Sequence, residues 1–425
     1  MIIRKRFFYG WVIVGSLSLV MFIAYVVRDS FPLFYVPMLS EFGRSRAETA
    51  LISSISFLVY GFSSALSGAL LDKFGPRKLF TAGAVLVGIG LAGCSQATEL
   101  WHIYLFWGVV FSLGMSAIGF VPCNAVVSRW FVRKRATALG IVQAGGRESF
   151  VISPLTQFLI MTFGWRNTYV VFAAMATIII VSIAQFLRHS PEDIGLLPDG
   201  ENEATDEKET RQSERDSLIV NKEWAAKDWT LAMAIKKYRF WAFLGMSFCV
   251  ANAYGMVLSH EVAFMVDVGF TAMFASYLLL IYGITGMAGR LSGFIADKIG
   301  REVTYTLGCG GVILGFAMLL LTRDTSAAWM LYVFTVCFGF FGGMNGPTIV
   351  AAEVDIFQGK HLGAIIGFIN IGFGIGNAIG SWFGGYLFDT FGNYVYAFVT
   401  AIIMAVLACV FMWIASPRKI RVVKR

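Results

Sequence analysis

The amino-acid sequence predicts an all-α membrane protein with twelve transmembrane helices in two pseudo-symmetric halves of six helices each. Three observations predict this fold. The composition is 57% hydrophobic and 14% charged, with a mean hydropathy of +0.70, whereas soluble domains are about a quarter charged. Twelve apolar stretches follow one another along the chain, and one loop sequence occurs in both halves.

Each apolar stretch is long enough for an α-helix that crosses a bilayer, which takes roughly 20 residues. The predicted spans are 9–38, 47–71, 79–97, 101–128, 136–162 and 165–187, and then 240–266, 272–296, 302–322, 326–352, 361–388 and 393–415. We therefore predict an N-terminal half at residues 1–188 and a C-terminal half at 240–425. A cytoplasmic linker at 189–239 joins them and contains an amphipathic segment at Trp224–Tyr238.

The distribution of basic residues predicts which side of the membrane each loop occupies. With the N-terminus inside, the inner segments hold 27 Lys and Arg residues and the outer loops hold 4. Cytoplasmic loops carry such an excess in membrane proteins. The sequence thus predicts a multi-pass protein of a cytoplasmic (inner) membrane, with both termini in the cytoplasm.

A repeated loop indicates that the two halves arose by duplication. Gly68–Lys78 reads GALLDKFGPRK and Gly293–Glu302 reads GFIADKIGRE. In each, Asp follows the first Gly by four positions, with Lys next and Gly two beyond, at the inner end of a second span. Repeats of this kind build the two halves of many transporters.

Several classes of function are excluded by what the sequence lacks. The six cysteines lie in apolar stretches without a CxxC motif, and four histidines form no HExxH pattern, so we expect no metal site and no cofactor. The sequence also contains no motif for a catalytic nucleophile, so we do not expect an enzyme. The charge of +8 lies in short loops between spans, which favours membrane topology over nucleic-acid binding. We expect a monomer embedded in lipid.

These motifs resemble those of a known family. The duplicated loop resembles the inner-loop motif of the major facilitator superfamily, and with twelve spans and a long central loop the resemblance covers the whole chain. Three further features resemble the monocarboxylate porters and their oxalate:formate antiporter relatives: WFVRKRATALGIVQAGG at Trp130–Gly146, FYGWVIV opening the first span, and Arg290 in the eighth span. The resemblance implies that Arg290 binds a substrate carboxylate.

The chain departs from that family at three positions. Gly286 stands where many members have a proton-carrying Asp, and Tyr9 stands where the signature has an acidic residue. The eleventh span has Asn370 and Asn377 but not the lysine of oxalate-exchanging relatives.

Charged residues inside predicted spans are the strongest candidates for function, because each costs at least about 2.5 kcal/mol at the bilayer centre. Seven candidates stand out for substrate and proton binding. Arg290, Arg28 and Arg147 are candidates to bind an anion, since a guanidinium holds a carboxylate with two parallel hydrogen bonds. The candidates to carry a proton are Glu148 first, then Asp29, and also Glu261 and His260.

These residues predict a secondary active transporter of a small organic anion. An anion held between Arg290 and Arg28 or Arg147 would bridge the two halves, where alternating access places the site. Its added negative charge would favour uptake of a proton, which predicts proton-coupled symport of a monocarboxylate-like substrate. We expect the inner-loop charges to act as gates: Asp72, Arg77, Asp297 and Arg301.

Three alternatives stay open on the sequence alone. An organic anion exchanger would replace the proton with a second substrate. A transporter of zwitterions or amines would use the acidic residues to hold a cation. A non-transporting receptor would bind its ligand without moving it.

Overall fold

A computed structural model of the chain describes residues 8–131, 134–200, 222–225, 227–292, 295–357 and 362–420. These residues are almost entirely helical, and this described part contains no β-strand. The all-α prediction is confirmed.

Seventeen α-helices make up the fold of this part of the chain. From the N-terminus they are α1 Gly10–Asp29, α2 Phe31–Phe42, α3 Arg46–Ser95, α4 Leu100–Ile103, α5 Ser112–Ile118, α6 Phe120–Trp130, α7 Arg135–Arg147 and α8 Ser153–Ala184. After the linker come α9 Lys222–Ala225, α10 Leu231–Ile235, α11 Tyr238–Asp267, α12 Ala272–Leu291, α13 Ile295–Ile299, α14 Arg301–Leu321, α15 Ala328–Ile356, α16 Leu362–Phe391 and α17 Val395–Ala415. A π-helical segment, Tyr104–Phe111, joins α4 to α5, and a 3-10 turn, Glu148–Ile152, joins α7 to α8.

Ten continuous helical segments of the described chain are long and apolar enough to cross a membrane. Two of these segments, in α3 and α8, run through a glycine that lies between two consecutive predicted spans. Gly75 in α3 and Gly164 in α8 have φ of 75° and 79°, outside helical geometry, in helices of 50 and 32 residues. Glycine adopts positive φ without a steric penalty. Each therefore turns the chain between two consecutive predicted spans with no intervening loop.

The helices of the described chain group into two compact units. The first comprises Met1–Phe31 and Val59–Thr205, and the second comprises Pro32–Leu58 and Asp206–Arg425. In the first unit α1 packs mainly on α7. In the second, α11 packs on α16 and α17, and α15 packs on α12 and α14.

The linker segment before α11 packs against the core of the second unit. The Thr230 hydroxyl caps α10 by accepting from the backbone N–H of Met233. Trp229 is 1% exposed, and the indole of Trp224 donates to the Ile356 carbonyl at 2.8 Å. Both tryptophans therefore contact protein. The amphipathic segment that contains them mixes apolar and basic residues, a composition that is also typical of helices on a membrane surface.

Many large apolar side chains lie exposed along the long helices. Those more than half exposed include Phe62, Leu66, Met161, Ile178 and Leu291. Soluble monomers rarely expose so much apolar surface, and in this fold lipid covers it.

Candidate functional site

Arg28 lies in the last turn of α1, in the first unit, and is held by aromatic rings. Its guanidinium carbon is 4.6 Å from the ring centre of Tyr60 and 5.5 Å from that of Tyr25. Tyr25 stands three positions earlier on the same helix, which places it on the same face. Cation–π attraction at these distances stabilises a positive charge without neutralising it.

Asp29 follows Arg28 and contacts a different element. The Ser149 hydroxyl donates to Asp29 Oδ2 at 2.7 Å and also to the Gly146 carbonyl at 3.2 Å. Ser149 is 2% exposed and belongs to the turn after α7. The hydrogen bond thus fastens the end of α1 to the end of α7.

Arg147 and Glu148 stand at the boundary between α7 and the 3-10 turn, and their side chains lie outside the described part of the structure. The backbone beside them is tightly packed. A methyl group added at Gly145 would overlap the Ser18 carbonyl oxygen of α1. Glycine here permits a close approach of α1 and α7.

His260 is completely buried in α11, in the second unit, and both of its ring nitrogens have partners. Nε2 lies 2.8 Å from the Ser381 carbonyl, and Nδ1 lies 3.4 Å from the Tyr394 hydroxyl. The ring also meets that of Tyr35 edge-on at 5.4 Å. The hydrogen-bonding capacity of this imidazole is therefore already used.

Glu261, the next residue, has different surroundings. Its side chain is 3% exposed, and Oε1 has no hydrogen-bond partner among the described residues. It lines a crevice with no room for a water molecule, formed with Met265, Ala275, Leu278, Leu279, Tyr282, Phe334 and Thr335. Neighbouring residues on a helix point about 100° apart, so His260 and Glu261 face different helices.

Arg290 is half-buried in the last turn of α12. The predicted eighth span, 272–296, is shorter in the structure, because α12 ends at Leu291 and the Ser292 hydroxyl turns back to the Gly289 carbonyl at 2.6 Å. Arg290 therefore lies closer to the end of its helix than the sequence predicted.

The inner-loop charges contact residues of their own unit. Asp72 pairs with Arg129, and Arg77 Nε donates to the Leu187 carbonyl at 3.2 Å. In the second unit Arg301 Nε donates to Asp355 Oδ2 at 3.1 Å. The side chain of Asp297 lies outside the described part. A gating role for these residues stays a prediction.

A network around Arg46 was not predicted from the sequence, in which Arg46 is one of the four basic residues of the predicted outer loops. All of its members belong to the second unit. Arg46 Nη2 is 2.7 Å from Asp267 Oδ2, and its guanidinium carbon is 3.8 Å from the ring centre of Phe388. Asp389 accepts from the backbone N–H groups of Arg46 and Ala47 at 3.0 and 2.8 Å.

These contacts join the start of α3 to the ends of α11 and α16, at the side that the charge distribution predicts to be outside. The carboxylate of Asp389 satisfies backbone donors that a helix N-terminus leaves free. The available sequence signal was an acidic residue at the outer end of each of two spans, Asp267 and Asp389. Nothing in a single sequence pairs them with Arg46.

Among the described residues no group of three or more His, Cys, Asp or Glu side chains is placed to hold a metal ion.

Comparison with known proteins identifies similar sequences over nearly the whole chain. The family model described as Major Facilitator Superfamily matches residues 17–352 and 316–425. Monocarboxylate transporter 13 of Rattus norvegicus is 27% identical over 395 residues, which cover 92% of this chain and 86% of that protein. Monocarboxylate transporter 2 of Homo sapiens is 24% identical, covering 96% and 85%.

Solved structures share the fold at low sequence identity. A bacterial homolog of the human lysosomal transporter Spinster, in an inward-facing and unoccupied conformation, matches with a TM-score of 0.71 at 16% identity, over 96% of this chain and 97% of that one. A D-xylose–proton symporter matches with a TM-score of 0.71 at 14% identity, over 95% and 97%. These similarities establish the architecture.

Proposed function

We propose that this protein carries a small organic anion together with a proton. The chain belongs to the major facilitator superfamily and is a transporter related to the monocarboxylate transporters. The proposal includes alternating access in a cytoplasmic membrane with both termini inside. The names of the relatives support a monocarboxylate as the substrate class.

Fixed positive charges in the spans support an anionic substrate. Arg28 is permanently charged, and its rings stabilise the cation without cancelling its charge. A guanidinium binds a carboxylate more specifically than an ammonium does, through its planar pair of donors. We propose Arg28 and Arg290 as anion ligands and retain Arg147 as a third candidate.

The environment of Glu261 is the observation that supports proton coupling. A buried carboxylate without a partner has a large desolvation cost, whereas the neutral acid does not. Oε1 of Glu261 lies in a waterless crevice without a partner among the described residues. We therefore propose Glu261 as the proton carrier, ahead of Asp29 and His260, whose side chains already have hydrogen-bond partners. Glu148 remains the alternative.

The test uses Glu261→Gln, which resembles the protonated acid. Purified protein in proteoliposomes is offered a panel of radiolabelled monocarboxylates with two to six carbons. Wild type should accumulate at least one of them when the outside is acidic. Glu261→Gln should lose this accumulation but retain counterflow exchange, because exchange does not require the empty carrier to release its proton.

Glu302→Gln is the matched control. Glu302 is also 3% exposed, but its Oε1 accepts the backbone N–H of Arg418 at 2.9 Å. This variant should keep pH-driven accumulation. If the wild type transports only by exchange, the protein is an organic anion exchanger and not a symporter. Unchanged accumulation in Glu261→Gln would exclude Glu261 as the proton carrier and make Glu148 the next residue to test. Transport of no monocarboxylate by wild type would contradict the substrate class.

A further inference from the structure

Two cysteines of the second unit meet across a helix pair. Cys309 lies on α14 and Cys409 on α17, a hundred residues apart in sequence, and both line one groove. Cys409 contacts Thr306, which stands three positions before Cys309 on the same face of α14. All six cysteines are free thiols. In the sequence all six lie in apolar stretches without a CxxC motif, and the transport proposal uses none of them.

A groove gives access to this pair. It has a volume of about 500 Å³ and is lined by Thr306, Cys309, Gly310, Ile313, Val406, Cys409, Val410, Trp413 and Ile414. Val406, Val410 and Ile414 are each more than two-fifths exposed. In a membrane these side chains face lipid, so the groove admits an apolar molecule from the bilayer.

Polar contacts hold both sulfur atoms in place. Cys409 Sγ is 3.4 Å from Thr306 Oγ1, and that hydroxyl accepts from Trp413 Nε1 at 2.9 Å. On the other side Asn345 Nδ2 approaches Cys309 Sγ at 4.0 Å. The two sulfurs therefore lie on separate helices, each with a polar contact, and line the same groove.

We propose that Cys309 and Cys409 form a dithiol site that binds trivalent arsenic compounds carrying an apolar substituent. Arsenic(III) is a soft centre that prefers sulfur ligands and gains most when two thiols reach it together. Apolar walls suit an aryl group, and a groove of this volume accommodates one. A single thiol would bind the same compound weakly and reversibly.

The reaction balances without an oxidant or reductant. An aryl arsenoxide, R–As=O, reacts with two thiols to give R–As(S)₂ and one molecule of water. Two As–S bonds form, the As–O bond breaks, both thiol protons leave on the oxygen, and arsenic stays in the +3 state. The product links α14 to α17.

The test treats purified protein in detergent with phenylarsine oxide and measures intact mass. Wild type should gain one phenylarsenic group that survives excess glutathione, a monothiol, and is removed by 2,3-dimercaptopropanol, a dithiol. Cys309→Ser and Cys409→Ser should each lose the glutathione-resistant adduct completely. The readout does not depend on transport, so it stands apart from the proposed function.

Two control variants and one further measurement keep the result specific. Cys337→Ser and Cys249→Ser should retain the adduct, since neither thiol lines the groove. Thermal unfolding of every variant establishes that it is folded, and Cys409→Ala repeats the test should Cys409→Ser unfold. Absence of a resistant adduct in wild type, its persistence without Cys409, or its loss in either control would overturn the proposal.

Discussion

The guanidinium of Arg28 lies close to two tyrosine rings, and both its shape and its charge matter for the anion binding that we propose. The ring centres of Tyr60 and Tyr25 lie 4.6 and 5.5 Å from its guanidinium carbon, and its planar N–H donors are the groups that we propose bind an anion. A lysine ammonium has the same charge but neither the flat face nor the paired donors. This difference separates a binding role from a merely electrostatic one.

We predict that Arg28→Lys reduces monocarboxylate uptake in proteoliposomes at least about tenfold, which corresponds to about 1.4 kcal/mol of lost binding. The amount of folded protein should stay near that of wild type, because the charge is kept. Arg323→Lys, at an exposed position, is the matched control and should transport normally. Normal uptake by Arg28→Lys would remove Arg28 from the substrate site.

The candidate residues could be identified from the sequence, but the contacts that surround each of them could not. Arg28, Asp29, His260 and Glu261 stood out because charge inside an apolar stretch needs a reason. Which of His260 and Glu261 has a free oxygen or nitrogen depends on the helices that each faces, and hydropathy does not contain this information. Arg46 was overlooked since its partners lie more than 200 positions away.

The contact between α1 and α7 illustrates how helices associate in lipid. Apolar burial gives little driving force there, so close packing through small residues replaces it. We predict that Gly145→Ala lowers stability by about 1–3 kcal/mol, the usual cost of overpacking, because its methyl group would overlap the Ser18 carbonyl. Thermal unfolding of the purified protein measures this.

Gly140→Ala is the control on the same helix, since a methyl group there meets nothing within 4 Å. Its unfolding midpoint should equal or exceed that of wild type, because alanine favours helix. Equal midpoints for the two variants would show that the helices separate easily at Gly145.

The start of α3 is stabilised by a carboxylate from α16. We predict that Asp389→Asn lowers stability by about 1 kcal/mol, because the negative charge at the helix N-terminus and beside Arg46 is lost. Asp324→Asn is the control, because the donors that Asp324 accepts from in the described part of the chain both belong to Ser326, two residues away. Unfolding midpoints that fall equally in both variants would contradict this capping role.

Sequence patterns predicted the helices but not how they join. The predicted span 47–71 and nearly all of 79–97 lie within α3, which ends at Ser95, and the turn between the two spans is at a single positive-φ glycine, Gly75. Hydropathy falls at a single-residue turn as it does at a longer loop, so a hydropathy pattern does not distinguish the two. The early end of α12 was also missed, because Ser292 and its neighbours are no more polar than residues within spans.

At the scale of the whole molecule, composition and the duplicated loop were sufficient for the fold. Lipid imposes long apolar helices on any chain that crosses it, so the pattern is strong and the prediction of an all-helical membrane fold is confirmed. The substrate and its coupling ion depend on a few side chains, which no such general constraint determines.

Simultaneous recording of substrate and protons tests the central claim most directly. Proteoliposomes containing the wild-type protein and an internal pH-sensitive dye receive the transported radiolabelled monocarboxylate at equal pH inside and outside. We predict that the lumen acidifies as the label enters, with one proton for each monocarboxylate, and that protein-free liposomes show much slower changes in both. Protein-dependent entry of the label without acidification of the lumen would contradict proton-coupled symport.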